Sequence, residues 1–150
     1  MRKTIILLLL TVSCSALDLT SHLKQEEGFR SSPYKCSEGF WTVGYGHRCD
    51  QNTAPVSKAE AELIIKGDIA LAVSQVETLI GKDAPQEAKE IVTAMVFQLG
   101  YKGVSKFKQT LKLIRSKDYK GASKEMLNSK WAKQTPARAH SMSIMMSKVR

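Results

Sequence analysis

The sequence has no internal repeat and no low-complexity segment apart from one leucine run near its start, which excludes a repeat array. It is short of acid: 14 Asp and Glu stand against 23 Lys and Arg, a net charge of +9. Such an excess usually invites a nucleic-acid reading. Here no recognition-helix or zinc-finger pattern accompanies it, and Lys and Arg are spread from Lys58 to Arg150 rather than blocked, so nucleic acid is not the expected partner. Solvated faces account for most of these charges. Their summed field favours a polyanion, such as an anionic cell-wall polymer or an acidic membrane surface. Cysteine is scarce, with three in 150 residues, so any single disulfide leaves one thiol over. Long hydrophobic runs are missing too. The longest is "TIILLLLTVSCSAL", fourteen residues from Thr4 to Leu17, where a spanning helix usually needs about 20.

That run is a unit of its own. Arg2 and Lys3 precede it and "CSA" closes it, the layout of a cleavable export signal. An uncleaved, marginal membrane anchor is the second reading. A lipoprotein signal is the weakest, because Thr11 stands where a large aliphatic residue is preferred. Each takes the chain out of the cytoplasm into a compartment where disulfides persist. The remainder, residues 18–150, is long enough for one domain with a substantial core, and 43% hydrophobic and 25% charged residues are ordinary globular values.

"DLTSHLKQEEGF" reads as a short helix ended by Gly28, with Leu19, Leu23 and Glu27 on one face at i, i+4, i+8. "YKC" and "FWTVGYGH" flank the turn signal Ser37, Glu38, Gly39 and predict a β-hairpin in which Cys36 and Thr42 face each other. Ser57 and Glu60 form a capping box that opens a helix running to about Ile80. "PQEAKEIVTAMVFQL" starts a helix with Pro85 in its first turn and stops at Gly100. Shorter helices are expected near Ser105–Ser116 and Lys120–Lys130. A last one is capped by Thr135, with Pro136 at its first position. The expected fold class is α+β: a small β-hairpin lobe, a long connecting helix, and a C-terminal helical lobe with a cleft between them.

Glu27 is the acid of most interest. Partial burial at the end of an apolar stripe and the negative end of its own helix both disfavour its charged form, which raises a carboxyl pKa as a general acid requires. The bland alternative is a surface Glu beside Glu26. For the cysteines, buried inert thiols, a disulfide and a zinc site from Cys36, Cys49 and His47 all stay open, although the zinc spacing fits no common pattern and lacks a fourth ligand.

"EGFRSSPYKCSEGFWTVGYGH" resembles the catalytic segment of the phage-type lysozymes, or endolysins, of glycoside hydrolase family 24. That family carries Glu, eight residues, Asp or Cys, five residues, then Thr; Glu27, Cys36 and Thr42 stand at those spacings, followed by "GYGH". "MVFQLG" at Met95–Gly100 and "W…QTPARA" at Trp131–Ala139 match as well, so the similarity runs from about Leu19 to Ala139. The resemblance implies hydrolysis of the bond between N-acetylmuramic acid and N-acetylglucosamine in peptidoglycan, by a monomer without metal or other cofactor. Glu27 would donate the proton, and Cys36 and Thr42 would position the attacking water. Phe97, Gln98, Thr110 and Arg138 match cleft positions, and His47 with Asp68 a structural pair between the lobes. Glu125 stands where the family has Asn, and Cys36 where many members have Asp. This last departure favours the rival reading of an inactive wall-binding protein on the same fold.

The three cysteines resemble the arrangement of the signal-anchor-release endolysins, which are held inactive at the membrane and activated on release. On that resemblance, residues 4–17 tether the protein to the inner membrane, facing the periplasm. Cys36 pairs with Cys49 in the tethered form, and Cys14 takes over Cys49 on release, freeing Cys36.

Overall fold

The computed structural model describes residues 18–36 and 39–150. The expected membrane segment and Cys14 lie outside these residues. No helix among them is long and apolar enough to cross a membrane.

Helix α1, Leu19–Glu27, starts because Asp18 caps it, accepting from the Ser21 backbone N–H (3.2 Å) and hydroxyl (2.6 Å). These bonds hold the Asp18 carboxyl below its usual range. The helix ends at Gly28, whose φ of +67° suits a residue without Cβ and whose N–H returns to the Lys24 carbonyl at 3.0 Å. Leu23 is buried and Glu27 half-buried on the same face.

An antiparallel sheet follows, in the order β1-β2-β3: β1 Arg30–Lys35, β2 Trp41–Gly44, β3 His47–Arg48. The register corrects the expected pairing. Tyr34, not Cys36, lies opposite Thr42, and Lys35 opposite Trp41. The turn closes earlier than a centre at Gly39 allows, because the Gly39 N–H bonds the Cys36 carbonyl (2.9 Å) and the Cys36 N–H bonds the Phe40 carbonyl (2.8 Å). Cys36 therefore neighbours Thr42 diagonally on one face, a separation of roughly 7–8 Å between Cα atoms in such pairs. Pro33 is accommodated because β1 is an edge strand, and the β1–β2 pairing is irregular between Arg30 and Tyr34. Strand β3, only two residues long, is absent from the sequence-based expectation.

Helix α2, Lys58–Ile80, opens with the expected capping box: the Glu60 N–H donates to the Ser57 hydroxyl (3.2 Å), and the Ser57 N–H to the Glu60 carboxylate (2.7 Å). Its inner stripe, Ala61, Ile65, Ala72 and Val76, is buried. Ala61 meets the end of β2, where a Cβ on Gly44 would lie 3.1 Å from the Ala61 Cβ. Helix α3, Gln86–Val104, is buried on all sides from Glu90 to Val96 and forms the central strut of the core. Its backbone breaks at Gly100 (φ +72°), where the helix was expected to stop, and resumes for one short turn.

Helices α4 (Lys108–Arg115), α5 (Tyr119–Leu127), α6 (Lys130–Gln134) and α7 (Pro136–Ser147) complete the chain. Short α6 was not expected; its signal is Ser129, which caps it through the Ala132 N–H at 3.1 Å. Thr135 precedes α7 but does not cap it by side chain, because its hydroxyl donates to the Trp131 carbonyl at 3.1 Å. Helices α5 and α7 pack through Ala122, Met126, Ala139 and Met146, all fully buried. In their seam the Ser143 hydroxyl donates to the Ser123 carbonyl (2.9 Å). That leaves the Ser123 hydroxyl to donate to Ser143 (3.0 Å). The whole is an α+β arrangement, mostly helical, with one small sheet.

Candidate functional site

The site is built where α1 meets the strand connection "GYGH". Gly46 sits at φ +76°, and its bare Cα lets the Glu27 carboxylate lie against the backbone: a Cβ there would come within 2.8 Å of the Glu27 Oε2. Tyr45 beside it is buried, with Phe29 tilted against its ring (centroids 5.6 Å apart) and Lys24 Nζ 5.3 Å from its centroid. Lys24 is held by Glu62 of α2 at 2.7 Å. This bond raises the lysine pKa and lowers that of Glu62, tying α1 to α2 beneath the Glu27 turn. One residue further along, His47 Nδ1 lies 2.8 Å from an Asp68 carboxylate oxygen, so the sheet is pinned to α2 as well. Donation to a carboxylate places the proton on Nδ1.

From the other end of the chain, Arg138 on α7 reaches back across 112 residues and its Nη2 bonds Glu26 Oε2. The residue treated as Glu27's bland neighbour therefore joins the first helix to the last. Gln98, at the end of α3, accepts from the Trp131 indole N–H at 3.0 Å; Trp131 is itself packed edge-on against Phe107 (6.0 Å, 78°). With its carbonyl oxygen so occupied, the Gln98 amide keeps its NH₂ for another acceptor. Phe97 is half-buried beside it.

These segments are the ones that a known family shares. The phage lysozyme family matches residues 24–143, four-fifths of the chain. The chain belongs to the phage lysozyme family. Probable T4-type lysozyme 1 of Dictyostelium discoideum is 31% identical over 147 residues, covering 79% of this chain and 86% of that protein. The endolysin of Acyrthosiphon pisum secondary endosymbiont phage 1 is 33% identical over 112 residues, 74% of this chain and 75% of the other. A SAR-endolysin of Enterobacteria phage PA-2 is 30% identical over 98 residues, 64% and 59% of the two chains. This phage lysozyme is accordingly a glycoside hydrolase.

In this phage lysozyme the remaining expected residues fall in two places. Thr42 is buried on β2, its hydroxyl donating to the Tyr34 carbonyl at 3.3 Å; Cys36 is a half-buried free thiol just past β1. Thr110, buried on α4, lines a cavity of about 390 Å³ with Phe107, Glu125, Ser129, Lys130 and Trp131. Glu125 thus carries a carboxylate to that wall, which Lys106 and Lys130 also line. Sequence reasoning missed Glu26, Lys106, Ser129 and Lys130. For Ser129 the cap of α6 was a usable signal; the others depend on contacts between distant segments.

Cys49 is also a free, half-buried thiol, and its N–H bonds the Trp41 carbonyl at 2.9 Å. Cys36 pairs with Phe40 on one side of β2, and Cys49 with Trp41 on the other. Two strand spacings, roughly 9–10 Å, therefore separate them, and their consecutive partners, Phe40 just before β2 and Trp41 at its start, face opposite ways. A disulfide needs Cα atoms within about 7 Å, so the expected Cys36–Cys49 bond is not part of this conformation.

Proposed function

We propose that this protein is a muramidase that hydrolyses the β-1,4 bond between N-acetylmuramic acid and N-acetylglucosamine in peptidoglycan, acting in host lysis. Glu27 is the proton donor. The observation that carries this reading is the seat of its carboxylate against Gly46, in the family's motif and half-buried, with the cationic Arg138 engaged by Glu26 next door. In this proposal the sheet and the helices after α2 form two lobes, the glycan lying between them with Phe97, Gln98, Thr110 and Arg138 along its path. Thr42 and Cys36, diagonal neighbours on the sheet, hold the attacking water and shape the field on the far side of the sugar.

The protein also acts as its own switch in this proposal. Residues 4–17 tether it to the inner membrane on the periplasmic side, and Cys14, Cys36 and Cys49 exchange partners when it is released. A SAR-endolysin among the relatives supports this layout. Because β2 stands between Cys36 and Cys49, the tethered form with that bond has a differently arranged hairpin.

The deciding experiment is the clearing of outer-membrane-permeabilised Gram-negative cells by the parent and by Glu27→Gln. Clearing by the parent and a loss of about 10²–10⁴-fold in Glu27→Gln are expected. Wall binding without clearing, in oxidised and in reduced protein alike, would instead identify an inactive wall-binding protein. Non-reducing peptide mapping of membrane-bound and soluble protein reads the switch separately; identical cysteine pairing in both fractions refutes it.

A further inference from the structure

The positive charge of this chain is more polarised than its spread along the sequence suggests. Residues 101–150 hold thirteen of the 23 basic residues and two of the 14 acidic ones; the first hundred residues hold ten basic and twelve acidic. Of those thirteen cations, all but Arg138 are exposed. Among the described residues none of these twelve is in an ion pair. The helices order them. On α4, Lys108 and Lys112 stand at i, i+4 opposite the buried Thr110 and Ile114, while Arg115 turns to the Leu79 carbonyl of α2 at 2.7 Å. On α5, which packs against α4, Lys120 and Lys124 form the matching stripe opposite the buried Ala122 and Met126. Lys117 fills the turn between them. Of the acids there, Asp118 is engaged as the cap of α5, its carboxylate accepting the Gly121 N–H at 2.8 Å, and Asp83 lines a surface cavity with Lys117 and Lys120.

We propose that the outer side of α4 and α5 is a docking face for the phosphate-bearing surface of an anionic lipid bilayer. Its cations are mostly lysines, compact hydrated point charges without the planar fork that arginine uses to grip one ligand. Unpaired lysines on two adjacent helix stripes read charge density rather than a ligand's shape. Lys108 lines the cavity of Thr110 and Glu125, so the face proper is Lys112, Lys117, Lys120 and Lys124, which lie outside that cavity and leave the glycan's path open. The chain before α1 supplies the companion signal: an apolar run too short to anchor firmly alone, for which a polybasic patch is the standard second contact. The inference stands apart from the muramidase reading, because it requires no chemistry at Glu27.

The test is flotation of the full-length protein with mixed phosphatidylglycerol–phosphatidylcholine vesicles and with pure phosphatidylcholine vesicles, at low and high salt. A surface lysine contributes about fivefold to such partitioning. The expected result is anionic binding at least about tenfold stronger than neutral binding, with the difference collapsing at high salt. A Lys112→Gln, Lys120→Gln, Lys124→Gln protein should lose at least about tenfold on anionic vesicles and nothing on neutral ones, where the apolar segment acts alone. A Lys58→Gln, Lys66→Gln, Lys82→Gln protein removes equal charge from the first hundred residues and should keep the anionic binding. All six lysines are exposed, and matched melting temperatures confirm folding. Equal losses in the two triple variants overturn the proposal in favour of net charge alone. No preference for anionic vesicles overturns it outright. Loss of sedimentation with purified peptidoglycan, with vesicle binding intact, assigns the face to the wall polymer and also overturns it.

Discussion

Replacing Gly46 by alanine tests the contact on which the site is built. The added Cβ would stand 2.8 Å from the Glu27 Oε2 and 3.3 Å from its Cδ, where ordinary contacts begin near 3.4 Å. Relief therefore requires a shift of about half an ångström, and the carboxyl, being the side-chain end, moves first. A second cost is the φ of +76°, roughly 1–2 kcal/mol for a residue with a Cβ. For a domain of this size that lowers the melting temperature by about 2–8 °C. Misplacement of a catalytic group by about 1 Å costs on the order of 10²-fold in rate, so the expected loss here is about 10–100-fold. Gly81→Ala separates the two effects. Gly81 has a φ of +92° with nothing within 4 Å of its would-be Cβ, so it pays the backbone cost without touching Glu27. Reducing ends released from purified peptidoglycan, measured well below both melting transitions, give the rates. If Gly46→Ala cleaves within about twofold of Gly81→Ala, the Gly46 wall does not position Glu27 and the reasoning fails.

Glu26→Gln should alter stability by less than about 1 kcal/mol, since both partners of its pair with Arg138 are part-exposed. A larger loss in urea titration refutes this. Ser57→Ala removes the cap of α2 and should cost about 0.5–2 kcal/mol by urea titration at neutral pH. Glu60 in that box sits below its ordinary 4.5, with the Ser57 backbone bond as the main cause, so its contribution is whole above that value and vanishes as pH falls through the depressed range. Alanine keeps that N–H, so it is the gap between parent and Glu60→Gln that should narrow on acidification. Met126→Ala, at a fully buried site between α5 and α7, should cost about 2–5 kcal/mol without changing the rate of the folded enzyme.

Local chemistry made much of the fold legible. The Ser57–Glu60 box, the Gly28 stop and the break at Gly100 each depend on residues within one turn, and each stands where the pattern put it. The hairpin register was less accessible, because Ser37, Glu38 and Gly39 signal a turn without saying which residues close it. Bonds at Cys36 and Phe40 decided that, shifting the pairing so that Thr42 meets Tyr34. At the site, the motif spacing singled out Glu27, whereas Glu26 looked like an ordinary surface acid. Its partner lies 112 residues away, a separation no periodicity encodes. The same holds for the cavity wall of Glu125, Lys106 and Lys130, assembled from α5, the turn after α3, and α6.

The position of β2 between Cys36 and Cys49 gives the cysteine chemistry a second use. In this register the end of the sheet at Phe40 and Trp41 lies between the two thiols, so a link between them would require that end to rearrange and would serve as a census of shape. In a population trapped with a fast alkylating reagent, the fraction of peptide crosslinked between Cys36 and Cys49 would count molecules whose hairpin end is rearranged, and alkylated Cys36 those with a free thiol there. Mass spectrometry of two peptides would thereby report a conformational equilibrium that otherwise calls for spectroscopy, and would do so inside living cells.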